Sequence, residues 1–444
     1  MFKKLLEILK ENNLFLTGGG GVGKSYATRI IIDSYKEQNM GVVVLGSTGI
    51  SAVNIGGVSV HSFFGFGICK NHEELKAHDK NKGTKRRIEI LKEMLPKTDL
   101  LVIDEISMVS GALFDMIYLR LVNLGFKGRL LVVGDFYQLP PVSKKEENSL
   151  FSAKYAFSSY SWSLMKFVNV EFIHSKRTKD LEFYDVLSKI RVGEIDHKIS
   201  SYLEQFLLSN FTLNEDKTVL FGRNRDADEL NLAMLKRIKS PLESFSGEYE
   251  IFDKNLRSER FEKWIENLNV PTVFDFKIGA KIIFTANKYQ SSFSQDNYYN
   301  GEQGVINEIC KNNSGKITSL VILKNSGKIV EIEPKSYDLG EFIVKDGEPI
   351  YNVLASFYQF PLRLAYGITI HKSQGMSVEN LTCNLNYIFA EGQLYVALSR
   401  AVDPKKLTII YSKELNFSTY LSRSVKVAKE VKEFYETETF IYLD

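Results

Sequence analysis

Residues Leu14 to Arg29 read LFLTGGGGVGKSYATR, and this stretch constrains the fold more than any other. A short apolar run enters a string of glycines, and Lys24 and Ser25 then open a segment of helical character. Gly18, four residues and Gly23-Lys24-Ser25 satisfy the phosphate-loop spacing between a strand and a helix. Glycines let backbone N–H groups turn inward on a phosphate without Cβ clashes. Lys24 would neutralise β- and γ-phosphates, Ser25 would ligate Mg²⁺, and the helix N-terminus adds partial positive charge. Gly18, Gly19, Gly20, Gly21, Val22, Gly23, Lys24, Ser25 and Tyr26 are therefore expected to line a nucleoside triphosphate.

A phosphate loop needs a sheet to carry it. Short apolar runs recur as GVVVLGS from Gly41, DLLVIDE from Asp99 and RLLVVGD from Arg129. Such runs read as strands of a parallel sheet covered on both faces. Helical segments, for example Lys24 to Gln38 and Ala112 to Asn123, alternate with them, which is the doubly wound α/β pattern. A second set begins at Lys217 (KTVLFGRN), Ala280 (AKIIFTAN), Asn380 (NLTCNL) and Lys406 (KLTIIYS). Two α/β domains of similar build are expected, since 444 residues exceed what one core organises.

Two stretches break the alternation. Residues 65–97 turn polar and carry Lys80, Lys82, Lys85, Arg86 and Arg87, either a nucleic-acid contact or a solvated charged loop. Residues 288–359 alternate with period two, and KNSGK reads as the turn of a hairpin in a small β insertion.

Strand ends supply the remaining chemistry. LLVIDEIS places Asp104 and Glu105 after an apolar run; in partnership with the loop, Asp104 would hold Mg²⁺ and Glu105 would orient or deprotonate water. LLVVGDFYQLPPV adds Gln138, an amide able to sense the γ-phosphate. The net charge of +3 identifies no polyanion partner by itself. Cys69, Cys310 and Cys383 stand far apart, which fits a reducing, intracellular setting and suggests neither a zinc knuckle nor a disulfide framework. The first residues, MFKKLLEILKENN, lack an uninterrupted apolar core for a signal peptide, so a soluble cytoplasmic protein is expected.

Taken in order, GGGGVGKS, STGISAVNIGGVSVHSFFG, LLVIDEISMVSGALFD, LLVVGDFYQLPPV, AYGITIHKSQGMS and QLYVALSRA resemble the motifs of superfamily 1B DNA helicases. The Pif helicase family is the closest match, with phage Dda and RecD helicases more distant. The resemblance runs from Leu14 to Tyr411. It implies two tandem RecA-like domains holding ATP and Mg²⁺ between them, at residues 1–64 with 98–178 and 179–287 with 360–444. It also implies a wedge insertion at 65–97 and an SH3-like insertion at 288–359.

By the same resemblance, Arg177 in HSKRTKD and Arg400 in VALSRA would act as arginine fingers. Thr48, His61, Ser62 and Phe63 would face single-stranded DNA, with Thr369, His371, Lys372 and Ser373 in a second motif. His61 has a core role as its competitor, and Phe63, Phe64 and Phe66 have domain packing as theirs. Gln374 and Gly375 would lie between the DNA and ATP sites. The implied activity is ATP-driven 5′→3′ translocation on single-stranded DNA and duplex unwinding by a monomer, in repair, recombination or replication of a bacterial or phage-type, nucleoid-associated setting. An RNA helicase of the superfamily and a non-unwinding NTP switch or loader are the alternatives. The family's glutamine motif before the first strand has no counterpart in MFKKLLEILKENN, so a looser base preference is expected.

Overall fold

The computed structural model describes residues 1–47, 57–67, 69, 71–141, 153–208, 216–288, 297–345, 348–412 and 414–444. Thr48 lies outside them.

The first domain is built on six strands: β1 (Leu14–Gly18), β2 (Val42–Gly46), β3 (Val58–Ser59), β4 (Leu100–Asp104), β5 (Arg129–Val133) and β6 (Val168–Phe172). All pair in parallel, and β1 sits centrally between β6 and β5. The apolar runs are unbroken because both faces are covered, yet period two still divides them. Phe15, Leu101, Ile103, Leu130 and Val132 enter one core, with Phe114 and Ile117 of the helix Gly111–Asn123. Leu14, Leu16, Leu100, Val102, Leu131 and Val133 enter the other, with Leu5 and Leu9 of the helix Phe2–Glu11 and Ala27 and Ile31 of the helix Lys24–Glu37.

A seventh strand, Phe440–Leu443, pairs in parallel with β6 at the sheet edge. This corrects the placement of all of 360–444 in the second domain. The helix Lys429–Thr437 and this strand bring Val431, Phe434 and Phe440 into the first domain's core beside Phe15, Phe136 and Trp162. Burying each such side chain is worth roughly 1.5–3 kcal/mol, which holds the C-terminal segment on the first domain.

The second parallel sheet runs Gly367–Thr369, Thr218–Phe221, Leu381–Asn384, Leu407–Ile410. The run at Ala280 is not part of it. Lys281–Phe284 instead pairs antiparallel with Gln303–Lys311 and Leu362–Leu364 in a five-stranded sheet. Ile283 faces the second parallel domain while Ile282 and Phe284 face the β insertion, so burial on both sides mimics a parallel strand. The hairpin around KNSGK forms as expected, between Ile317–Lys324 and Ile329–Ile332.

The polar stretch 65–97 folds as the helices His72–His78 and Lys82–Met94, which place Leu75, Leu91 and Met94 in the first core. Lys85 and Arg86 are exposed, but Arg87 is buried and donates to the carbonyl of Phe342 at 3.2 Å, on the long hairpin strand Lys335–Lys345. Among the described residues, no helix is long and apolar enough to cross a membrane.

Candidate nucleotide and nucleic-acid site

β1 ends in the phosphate loop. Gly18 has φ +135°, and a Cβ there would sit 2.4 Å from the Phe172 carbonyl oxygen. Gly21 has φ +84° and would collide with the Arg177 side chain at 2.5 Å, so both positions exclude other residues. Gly23 caps the helix Lys24–Glu37, whose N-terminus faces an interdomain cleft of about 270 Å³. Lys24 Nζ donates to the carbonyls of Gly18 and Gly19 at 2.6 and 2.9 Å. Burial lowers its pKa, while Asp135 and Glu105 oppose that shift. Lys24, Ser25 and Tyr26 line the cleft. The side chain of Val22 does not line the nucleotide site: it is 2% exposed and belongs to the apolar core beneath the loop, with Leu16 and Ile31 in the same cluster.

β4 ends at the same cleft. Burial, reinforced by the neighbouring Glu105, pushes Asp104 up to about 7; burial also raises Glu105, against the pull of Lys24. Glu105 adopts φ +54°, an unusual conformation for a glutamate, and this strained turn aims its carboxylate across the cleft. There it accepts a hydrogen bond from Gln374 Nε2 at 3.0 Å. Gln138, just beyond β5, also lines the cleft, and its Nε2 donates to Asp135 Oδ2 at 3.2 Å.

Two arginines complete the cleft, Arg177 from the segment after β6 and Arg400 from the second domain. Arg177 donates from Nε to Ser377 Oγ at 2.8 Å and from Nη1 to the Ser399 carbonyl at 2.7 Å. Burial against the cleft wall, then the charge of Arg400, lower its pKa to about 9. Arg400 is 1% exposed. Its Nε donates to Val396 O at 2.9 Å and its Nη1 to the carbonyls of Ser373 and Met376, both at 3.3 Å. Its Nη2 reaches Ser399 Oγ at 3.0 Å and borders Gly20, where an added Cβ would meet it at 3.2 Å. Arg400 thus fastens the turn 371–376 to the nucleotide cleft. Gly375, at φ +77°, lines that cleft.

The nucleic-acid candidates divide. His61 is half-buried, edge-on to Phe66 at 6.3 Å, and Ser62 keeps partial exposure. Phe63 is 1% exposed, packed edge-on against Phe64 at 4.8 Å and Phe342 at 5.7 Å, so it is a core residue and not a base platform. Lys372 and Thr369 line one groove with Arg363 and Asn224. His371 lies parallel to the exposed Phe389 at 6.2 Å. Burial lowers the pKa of both His61 and His371. Ser373 is fully buried and its hydroxyl donates to Ile370 O at 2.8 Å, so it braces the turn and is not a DNA contact.

Residue-type reasoning missed Tyr395, whose hydroxyl accepts the Gly20 N–H at 2.7 Å. It lies in QLYVALSRA, inside a recognised motif, where an aromatic near Arg400 was the available signal. Arg191 had none: it is the last residue of an ordinary amphipathic helix.

A phosphate loop and acid pair on one parallel sheet, with Arg177 beside the loop and Arg400 reaching in from a second parallel domain, define an NTP-driven motor with tandem RecA-like domains. A family model described as PIF1-like helicase matches residues 2–201. The chain is 43% identical to the ATP-dependent DNA helicase Pif1 of Campylobacter jejuni, across 100% of this chain and 99% of that protein. The ATP-dependent DNA helicase Pif1 of Bdellovibrio bacteriovorus is 32% identical, with 97% of this chain and 90% of that one covered. The Pif1 helicase crystal structure from Candida albicans superposes with a TM-score of 0.73 at 28% identity, covering 98% of this chain and 97% of that one. The chain belongs to the PIF1-like helicase family and is an ATP-hydrolysing helicase.

Proposed function

We propose that the chain couples ATP hydrolysis to 5′→3′ movement along single-stranded DNA and opens duplex ahead of it, serving DNA repair, recombination or replication. One observation carries this reading: Gln374, beside the candidate DNA residues His371 and Lys372, bonds directly to the cleft carboxylate Glu105. The relatives named as DNA helicases favour DNA over RNA as the track. In this scheme Lys24 neutralises the triphosphate, Glu105 positions water, Gln138 senses the γ-phosphate, and Arg177 and Arg400 stabilise charge on the transferred phosphoryl group. His61, Ser62, Thr369, His371 and Lys372 grip the strand, in a sequence-tolerant manner suited to phosphate and sugar contacts.

Ser25 and Asp104 line the cleft together, a hydroxyl and a carboxylate, and this sparse donor set fits Mg²⁺ shared with substrate phosphates. When bound there, Mg²⁺ supplies charge neutralisation to the phosphoryl oxygens. Residues 65–97 serve as the wedge in this reading. The β insertion extends beyond 288–359 to take in the paired strands Glu243–Ser246, Glu248–Ile251, Val273–Phe276 and Lys281–Phe284. The protein works as a monomer.

Strand displacement on 5′-tailed and 3′-tailed duplexes tests activity and polarity together. Unwinding of the 5′-tailed substrate alone is expected, and equal or reversed preference would refute the polarity. Lys24→Ala should lower ATP turnover by at least about 100-fold while sparing DNA binding. Stimulation of hydrolysis by RNA but not DNA would favour the RNA helicase alternative.

A further inference from the structure

The helix Leu181–Arg191 belongs to the second domain by its packing: Phe183, Val186, Leu187 and Ile190 lie in that core with Leu394 and Leu398. Its last residue reaches the other way. The guanidinium of Arg191 donates from Nε to both oxygens of Asp135 at 3.2 and 3.0 Å, and from Nη2 to Asp135 Oδ1 at 3.0 Å. Nη1 donates to Glu171 Oε1 of β6 at 2.6 Å. Asp135 is fully buried and Arg191 is 11% exposed, so the pair is fixed in a low-dielectric interior.

Four more contacts lock the node. The guanidinium carbon lies 4.9 Å from the ring centre of Tyr137 and 5.5 Å from that of Tyr435. Those two rings stack at 4.6 Å. The Tyr435 hydroxyl, on the C-terminal helix, pairs with Thr17 Oγ1 at 2.7 Å, one residue before the phosphate loop. Asp135 then passes the constraint on. Its Oδ1 accepts the backbone N–H of Tyr137 at 3.2 Å, and its Oδ2 accepts the amide of Gln138 at 3.2 Å.

We propose that Arg191 is a positioning residue: carried by the second domain but clamped on Asp135 of the first, it sets the orientation of Gln138 and ties it to interdomain closure. Rotation of the second domain pulls on the fork at Asp135, and the Gln138 amide follows. Arg191 is not among the residues that line the nucleotide cleft. The inference rests on the proposed role of Gln138 at the γ-phosphate.

The test is a double-mutant cycle on the full chain with Arg191→Lys and Gln138→Ala. Each variant is read for kcat and KM at saturating single-stranded DNA and for affinity toward ADP with and without aluminium fluoride. Lysine keeps the charge but loses the fork. Arg191→Lys should lower kcat roughly 10- to 100-fold with KM for ATP within about threefold, since a small misplacement carries such a cost. It should weaken binding of the ADP–aluminium fluoride complex but not of ADP. The double variant should be no worse than the weaker single variant, because both act through one group.

Additive losses, or parallel losses in ADP and ADP–aluminium fluoride binding, overturn the role of Arg191. A harmless Gln138→Ala removes the Gln138 reading itself, a separate outcome visible in the single variant. Should Arg191→Lys fail to fold, Glu171→Gln loosens the same guanidinium without orphaning a charge. It should then show a smaller kcat loss with the same non-additivity, and additivity there overturns the proposal equally.

Discussion

The side-chain amide of Gln374 donates to the Glu105 carboxylate at 3.0 Å, joining a turn of the second domain to the acid pair of the first. Burial raises the proton affinity of Glu105, and this hydrogen bond pulls it back down. Movement of the turn 371–376 therefore changes the basicity and aim of Glu105. Gln374→Ala should cut the ratio of DNA-stimulated to DNA-free ATP hydrolysis about tenfold or more, with KM for ATP within about threefold. Steady-state ATPase assays with and without an oligonucleotide measure this. An unchanged ratio would reduce Gln374 to a packing residue.

Arg177 and Arg400 differ in what surrounds them, so their truncations should separate. Arg400 is 1% exposed and bonds three backbone carbonyls and one hydroxyl within its own domain. Arg400→Ala removes four hydrogen bonds and leaves a buried gap, and should cost about 2–4 kcal/mol of stability as well as turnover. Arg177 keeps partial solvent contact and makes its bonds to the other domain, so Arg177→Ala should cost under about 1 kcal/mol. Both should lower kcat by about 100-fold or more. Thermal melts beside ATPase assays distinguish them, and equal Tm values would contradict the assignment of Arg400 as a structural bolt.

Much of this was legible in the chain because the chemistry is local. The loop, the acid pair after β4 and the two arginines sit in ordered motifs, and the structure gathers Lys24, Ser25, Asp104, Glu105, Gln138, Arg177, Gly375 and Arg400 around one cleft. What failed was tertiary. The run at Ala280 is buried on both sides, which periodicity cannot tell from a parallel strand. The strand Phe440–Leu443 docks on β6, a pairing that nothing in its own residues encodes. Exposure is likewise not local: Phe63 and Ser373 carry suitable chemistry but point inward. Arg191 and Tyr395 gain their partners only from the closed packing of two domains.

Burial holds both His61 and His371 below the ordinary imidazole value of 6.5. Between the folded value and about 6.5 the unfolded chain binds more protons, so stability rises with pH across that window. The contribution is fully present above about 6.5 and is lost as pH falls through the depressed folded values. Both rings are therefore neutral near pH 7, and in the proposed grip they would hold DNA without charge. Affinity for single-stranded DNA at fixed salt should stay flat between about pH 7 and 8. Fluorescence anisotropy measures it, and a tenfold drop across that unit would mean that a charged imidazole holds a phosphate.

The cleft offers an aromatic ring, Tyr26, as the candidate contact for the nucleotide base. Tyr26 follows Ser25 at the cleft, is 63% exposed, and meets Phe2 of the helix Phe2–Glu11 edge-on at 5.8 Å. That helix, FKKLLEILKE, offers no glutamine to read adenine. A ring accepts any base by its face, and stacking is worth about 1–3 kcal/mol per base without a hydrogen-bond code. Tyr26→Ala should therefore raise KM for ATP and GTP alike, by roughly tenfold, while Tyr26→Phe restores both. The parent chain should hydrolyse ATP and GTP with kcat/KM values within about tenfold of each other, since specificity above that requires paired polar groups. Competition by inorganic tripolyphosphate should be untouched by Tyr26→Ala. A loss confined to ATP, or an equal loss of tripolyphosphate binding, would show that Tyr26 does not act on the base through stacking.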